Sequence, residues 1–120
     1  MAAGDLTYLQ EDSGARFISR TRPAYAGTLD ANGNPTLTVA DAITRRYTVA
    51  LTGNRTITLS NTNAFVGATF KIIRADTAAQ TLDVKNNGGS TLKQIPNSTA
   101  ATVECVFDGT DWQLSLYSLL

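Results

Sequence analysis

The chain lacks histidine altogether and has a single cysteine among its 120 residues. Without histidine there can be no Ser–His or Cys–His nucleophilic pair, and every histidine-based metal site is excluded. One cysteine cannot form a disulfide within the chain, so the fold needs no oxidising compartment. These two absences argue against an enzyme and favour a protein that acts through its surfaces.

Net charge and long apolar runs are also missing. Ten basic residues balance ten acidic ones, so no basic field attracts nucleic acid or an anionic membrane. No apolar run reaches the length that spans a bilayer. The first residues, Met1-Ala-Ala-Gly-Asp, have no basic region followed by an apolar stretch, which predicts no signal peptide. We therefore expect no nucleic-acid partner and no membrane partner.

The clearest pattern present is a pair of alternating apolar runs at the C-terminal end. In the first run, every second residue is apolar: Val103, Cys105 and Phe107. In the second run, which follows the Asp-Gly turn, every second residue from Trp112 is also apolar: Trp112, Leu114 and Leu116. A period of two places each set on one face of a strand, and Asp-Gly between such runs indicates a hairpin. We expect this hairpin to anchor the core, with Trp112 buried against the first run.

Short runs of the same kind recur through the preceding sequence. From Tyr47 the apolar residues Tyr47, Val49 and Leu51 alternate with polar ones, and a Gly53-Asn54 turn leads to a Thr-rich run. Turn-forming residues recur about every ten positions, which is typical of an all-β sandwich or barrel. The sequence predicts an all-β, small antiparallel β-sandwich or barrel with an extended N-terminal arm. Residues 1–26 form the arm, and residues 27–120 form a single β domain.

Two groups of residues resemble catalytic sites but have simpler explanations. Cys105 alternates with apolar residues, which favours a buried small side chain over a nucleophile. Asp108 and Asp111 could mimic a carboxylate pair, but aspartates at a turn usually cap backbone amides. We expect no catalytic residue and no enzymatic activity.

A third group has the spacing of a calcium loop. Asp30, Asn32, Asn34 and Asp41 stand at the first, third, fifth and twelfth positions of the EF-hand pattern. The sixth position, where that loop needs glycine, is Pro35, and the twelfth should be a bidentate glutamate. We therefore expect no metal site and no cofactor.

The N-terminal arm has apolar residues without a strand or helix period, so no single face can bury them. Its arginines are either a solvated charge run or anchors on a partner, because arginine makes bidentate contacts well. We predict a partner interface formed by Arg16, Phe17, Ile18, Arg20, Arg22 and Tyr25.

Residues 47–120 resemble a module of tailed-bacteriophage virion proteins. The resemblance rests on the strand pair YTVALTGNRTITLS, on GATFKIIR, on LDVK before an Asn/Gly turn, and on TVECVFDGTDWQL at the end. Its most specific part is an apolar strand followed by DGT, any residue, Trp, any residue and Leu. The resemblance implies no catalytic residue.

The family occurs in capsid decoration (cement) proteins and in tail or head fibres, often as trimers. A single module with an N-terminal arm and no fibre repeats is more similar to a decoration protein. The resemblance thus implies a homotrimer made in the host cytoplasm that binds the major capsid protein on the virion exterior and stabilises the shell. The alternative is a tail- or head-fibre or receptor-binding module that recognises a host surface glycan.

Overall fold

The computed structural model describes Arg22 and residues 25–120, and all regular secondary structure in this part of the chain is β-strand. The strands are β1 (Tyr25–Thr28), β2 (Thr36–Leu37), β3 (Thr44–Tyr47), β4 (Arg55–Leu59), β5 (Thr69–Arg74), β6 (Leu82–Lys85), β7 (Thr91–Ile95), β8 (Ala101–Phe107) and β9 (Trp112–Leu119). The prediction of an all-β domain is confirmed for these residues.

The strands form two mixed sheets that enclose one core. Sheet A has the order β1-β3-β5-β8-β9, and sheet B has the order β2-β4-β6-β7. The first six strands alternate between the sheets, so the chain winds through three successive coils. Each of these strands lies parallel to the strand one coil away. β7, β8 and β9 then add antiparallel strands to the far side of the coils.

The prediction of purely antiparallel sheets is wrong. Four of the seven strand pairings in the described chain are parallel. Parallel strands cannot be joined by a tight hairpin and need a crossover. Here each crossover is a loop, a strand in the opposite sheet and a second loop. Short loops rich in turn formers therefore connect the two sheets.

The core lies between the inner faces of the two sheets. In β5 the side chains of Phe70, Ile72 and Arg74 point inward, and in β6 those of Leu82 and Val84 do so, all fully buried. Strict alternation along these strands places a row of buried side chains, apolar except for Arg74, on the inner face of each sheet. This alternation accounts for why the sequence pattern identified the core strands.

The strand predicted over Tyr47, Val49 and Leu51 lies elsewhere. β3 covers Thr44–Tyr47, and Val49 lies in the following loop with 59% of its surface exposed. β3 gains its regular structure from parallel pairing with β5, in which Arg45 lies opposite Ile72. This long-range pairing leaves no local signature in the sequence.

The C-terminal hairpin is confirmed, with one irregularity. Trp112 is fully buried and lies opposite Phe107. The ladder then slips by one residue, because Cys105 pairs with Leu114 whereas Glu104 pairs with Leu116. The extra residue, Ser115, forms a bulge, and its hydroxyl donates to the Glu104 carbonyl oxygen at 3.1 Å. A bulge of this kind reverses which side chains face the core.

Within the described chain no helix is present that could cross a membrane. The predicted N-terminal arm, apart from Arg22 and the start of β1 at Tyr25, lies outside the described residues.

Candidate assembly surfaces

Arg22 joins the predicted arm to the β domain. Its guanidinium donates from Nη1 to the Thr69 carbonyl oxygen at 2.8 Å and from Nε to the Asp41 carbonyl oxygen at 3.2 Å. The guanidinium carbon also lies 4.7 Å from the centre of the Phe70 ring, within the range of a cation–π contact. Burial lowers the pKa of Arg22, against the attraction of Asp41, but arginine stays protonated at ordinary pH.

These contacts place Arg22 at one end of the sandwich, which we call the arm end. The arm end is where β3, β5 and β9 begin and where β8 finishes. The loop that leads into β5 lies at the same end and is called the tip loop (residues 61–68). Because Thr69 directly follows the tip loop, Arg22 fixes the chain beside it.

The tip loop presents two neighbouring apolar side chains. Phe65 is 37% exposed and Val66 is 74% exposed. Positive φ angles flank the pair, 56° at Asn63 and 88° at Gly67, so the backbone reverses on both sides of it. On the neighbouring hairpin turn, a Cβ at Gly109 would lie only 3.2 Å from Val66 Cγ2.

Hydrogen bonds hold the tip loop to its neighbours. Asn61 Nδ2 donates to the Thr110 carbonyl oxygen at 3.1 Å, and the Asn61 amide donates to Asn87 Oδ1 at 3.2 Å. The Gly67 amide donates to the Phe107 carbonyl oxygen at 2.9 Å. The exposed apolar pair therefore stands on a fixed support, which lowers the entropy cost of binding a partner.

A second exposed apolar surface lies along β9, which is an edge strand of sheet A. Leu114 is 39% exposed, Leu116 is 46% exposed and Leu119 is 66% exposed, and Leu120 follows them at 67%. Glu104 points outward between buried neighbours, so its partner Leu116 lies on the outer face of the sheet. The bulge at Ser115 thus distributes leucines over both faces of β9.

The structure describes only some of the six predicted interface residues. Arg16, Phe17, Ile18 and Arg20 lie outside the described residues, and Tyr25 contributes its backbone to β1. Arg22 donates from Nε and Nη1 to its own domain. The interface over these six residues stays a prediction.

The cysteine is placed as the sequence predicted. Cys105 is fully buried between Val103 and Phe107, with its side chain in the core. Burial raises the pKa of the thiol to about 12, and nearby Glu104 adds to the shift. The thiol is therefore protonated at neutral pH and unsuited to nucleophilic attack.

The two turn aspartates cap backbone amides, as the sequence predicted. Asp108 Oδ1 accepts from the amides of Thr110 and Asp111 at 2.8 and 3.0 Å. Asp111 accepts from the amides of Asn87 and Gly88 at 3.0 and 3.1 Å. The Asp111 carboxylate thus joins the hairpin turn to the turn between β6 and β7.

The side chains with calcium-loop spacing have protein partners too. Asp30 Oδ1 accepts from the Asn32 amide at 2.9 Å, and Asn34 Oδ1 accepts from the Thr56 amide at 2.9 Å. Asp41 forms an ion pair with Arg45, with 3.1 Å between Oδ1 and Nη1. In the described part of the chain no three acidic or cysteine side chains group as metal ligands.

Sequence reasoning missed both exposed apolar surfaces. The Phe65–Val66 pair did carry a signal, because two apolar residues stand between turn formers at Asn63 and Gly67. The exposure of Leu116 carried none, because the bulge that turns it outward depends on the pairing of β9 with β8.

No protein-family model matches the chain, and no curated protein or solved structure matches it.

Proposed function

We propose that the chain is a tailed-bacteriophage capsid decoration protein that binds the outside of the shell and stabilises it. The partner is the major capsid protein, and the chain acts as a homotrimer on the virion exterior after synthesis in the host cytoplasm. It catalyses no reaction. Binding that favours the assembled shell over its separated subunits stabilises the shell by mass action.

The observation that carries this proposal is the position of Arg22 beside the tip loop. Arg22 bonds to the carbonyl oxygen of Thr69, which directly follows the tip loop that exposes Phe65 and Val66. Two elements suited to a partner therefore meet at one end of the molecule. Apolar groups on a fixed support suit attachment to a large protein surface.

The charge balance supports the same mode of binding. The whole chain has no net charge, so attraction to a shell relies on shape and apolar burial. Capsid binding should therefore weaken only slightly between low and physiological salt.

One observation favours the fibre or receptor-binding alternative. The first six strands stack as three parallel coils, and repeated coils are how solenoid proteins extend along an axis. Such a module would bind host cells and leave the thermal stability of the capsid unchanged.

The test measures binding to isolated, expanded capsids and the melting temperature of the shell. We expect the full chain to bind and to raise this temperature. Val66→Asp should weaken binding at least tenfold, whereas Val49→Asp, at a similarly exposed valine in another loop, should not. Deleting residues 1–21, which spares Arg22 and β1, should also weaken binding.

Two results would contradict the proposal. Full capsid affinity in both the Val66→Asp variant and the truncated chain would show that the arm end is not the contact surface. Binding to host cells without binding to capsids would favour the receptor-binding alternative.

A further inference from the structure

We infer that β9 packs against the β9 strands of further copies of this chain, around the symmetry axis of a homo-oligomer. This surface is separate from the arm end and needs no capsid.

β9 has the features of an edge that another chain covers. It is eight residues long, and within the described chain only β8 pairs with it. Proteins usually protect long edge strands with charged residues or proline, and β9 contains neither. Its bulge does interrupt the strand, but that bulge also turns the Leu116 side chain onto the outer face.

The absence of charge favours further copies of this chain as the occupant. Around a symmetry axis, each residue meets the same residue of another copy or its close neighbours. A charged residue there would face an equal charge and repel it. The sequence WQLSLYSL has no acidic or basic residue, so β9 itself brings no like charges together when copies approach. A charged partner would find no complementary group on the strand.

The remaining side chains fit the same arrangement. Leu114 and Leu119 extend from the inner face at the edge, and Leu116 extends from the outer face. Lys93, on β7, places its Nζ 4.1 Å from the centre of the Tyr117 ring. This contact directs the charge onto an aromatic ring of its own subunit and keeps it off the leucines.

The test is the mass of the full chain in solution at concentrations up to about 100 µM. Wild-type protein should have a mass of at least twice the 12.8 kDa of one chain. Leu116→Lys should shift the protein to the monomer, because it brings equal charges together at the axis. Val49→Lys should leave the mass unchanged, since this exposed valine lies in the loop after β3. Native Trp112 emission would verify that each variant is folded.

If Leu116→Lys unfolds the domain, Leu119→Lys replaces it in the test. Leu119 is 66% exposed, so a lysine there should not disturb the fold. Cysteine variants give a second readout, since Cys105 is buried and does not compete. Oxidised Leu116→Cys protein should form disulfide-linked pairs, and Val49→Cys protein should not.

A monomeric wild-type protein would overturn the inference, and so would an unchanged mass in folded Leu116→Lys and Leu119→Lys variants. Equal disulfide yields from the two cysteine variants would count against it as well. If deletion of residues 1–21 gave a monomer while the Leu116→Lys variant stayed oligomeric, assembly would depend on the arm and not on β9. Because these measurements use the isolated protein, their failure is distinct from a failure to bind capsids.

Discussion

The indole Nε1 of Trp112 donates a hydrogen bond to the carbonyl oxygen of Ser60 at 3.0 Å. This bond joins the first residue of β9 in sheet A to the residue that follows β4 in sheet B. The indole also packs against Phe70 and Phe107, with ring centres 5.2 and 5.5 Å away. One side chain therefore connects both sheets, the start of the tip loop and the core.

Replacing Trp112 should strongly destabilise the fold. Trp112→Ala leaves a large cavity and should lower the free energy of unfolding by about 3–5 kcal/mol. Trp112→Phe keeps an aromatic ring but leaves the Ser60 carbonyl without its partner, and should cost about 1–3 kcal/mol. Urea unfolding followed by circular dichroism measures both. A red-shifted, readily quenched native emission from Trp112 would contradict its burial.

Arg74 performs a similar connecting role at the opposite end of the sandwich. Its side chain is fully buried, and Nη1 donates to the Gln80 and Pro96 carbonyl oxygens at 2.7 and 3.2 Å. Nη2 donates to the Ala78 carbonyl oxygen at 2.7 Å and to Asp76 Oδ1 at 3.2 Å. The guanidinium thus holds the crossover from β5 to β6 and the loop after β7.

Removing this guanidinium should be costly. Arg74→Met leaves three carbonyl groups without their donor and the Asp76 carboxylate without its cationic partner, and should lower the free energy of unfolding by about 3–5 kcal/mol. Arg46→Met, at an exposed site on β3, should change it by no more than about 0.5 kcal/mol. Equal effects in the two variants, measured by urea unfolding, would show that the buried network adds little.

The sequence predicted the parts of the fold that depend on neighbouring residues. The hairpin of β8 and β9 is local, and Asp108 and Gly109 specify its turn. The burial of Cys105 and Trp112 follows from the same alternation. The winding of β1 to β6 was missed because turn residues mark a reversal without indicating which sheet receives the next strand. Loop residues such as Gly53 and Asn54 are equally suited to a hairpin and to a crossover.

The buried charge network was also beyond sequence reasoning. Arg74 occupies an inward position of β5, in line with Phe70 and Ile72. A local pattern would assign such a residue to solvent, since arginine is seldom buried unless it is paired. Its partners come from a loop and from Pro96, which lies after another strand. Only the folded chain brings these acceptors to one place.

The stability of the domain should fall in acid, in part through Asp76. Burial alone would raise the pKa of this carboxyl, but the Ala78 amide and the Arg74 guanidinium outweigh burial and hold the pKa below its ordinary value. The folded state therefore binds fewer protons than the unfolded state. This stabilisation is present above the unfolded pKa of about 3.9 and is lost as pH falls through the folded value.

The measurement is the melting temperature between about pH 5 and pH 2. The wild-type curve should fall more steeply than the Asp76→Asn curve. The amides of Asp111 and Thr110 similarly lower the pKa of exposed Asp108, so adding Asp108→Asn should flatten the curve further. Parallel curves for wild type and Asp76→Asn would contradict the prediction.

Cys105 should not react with thiol reagents while the domain is folded. Burial raises its pKa to about 12, so at pH 8 the thiol is protonated as well as inaccessible. Labelling with a chromogenic disulfide should proceed at the rate of unfolding in buffer and rapidly in concentrated urea. Fast labelling of protein that retains its native Trp112 emission would contradict this prediction.

Calcium should not stabilise the domain, despite the spacing of Asp30, Asn32 and Asn34. The side chains of Asp30 and Asn34 accept hydrogen bonds from backbone amides, and that of Asn32 contacts Thr52. An ion that bound there at 100 times its dissociation constant would add about 2.7 kcal/mol and raise the melting temperature by several degrees. We expect a change below about 1 °C with either calcium or a chelator. Asp30→Ala should lower the melting temperature through loss of its turn, equally with and without calcium. A rise of several degrees that disappears in Asp30→Ala would instead identify a calcium site.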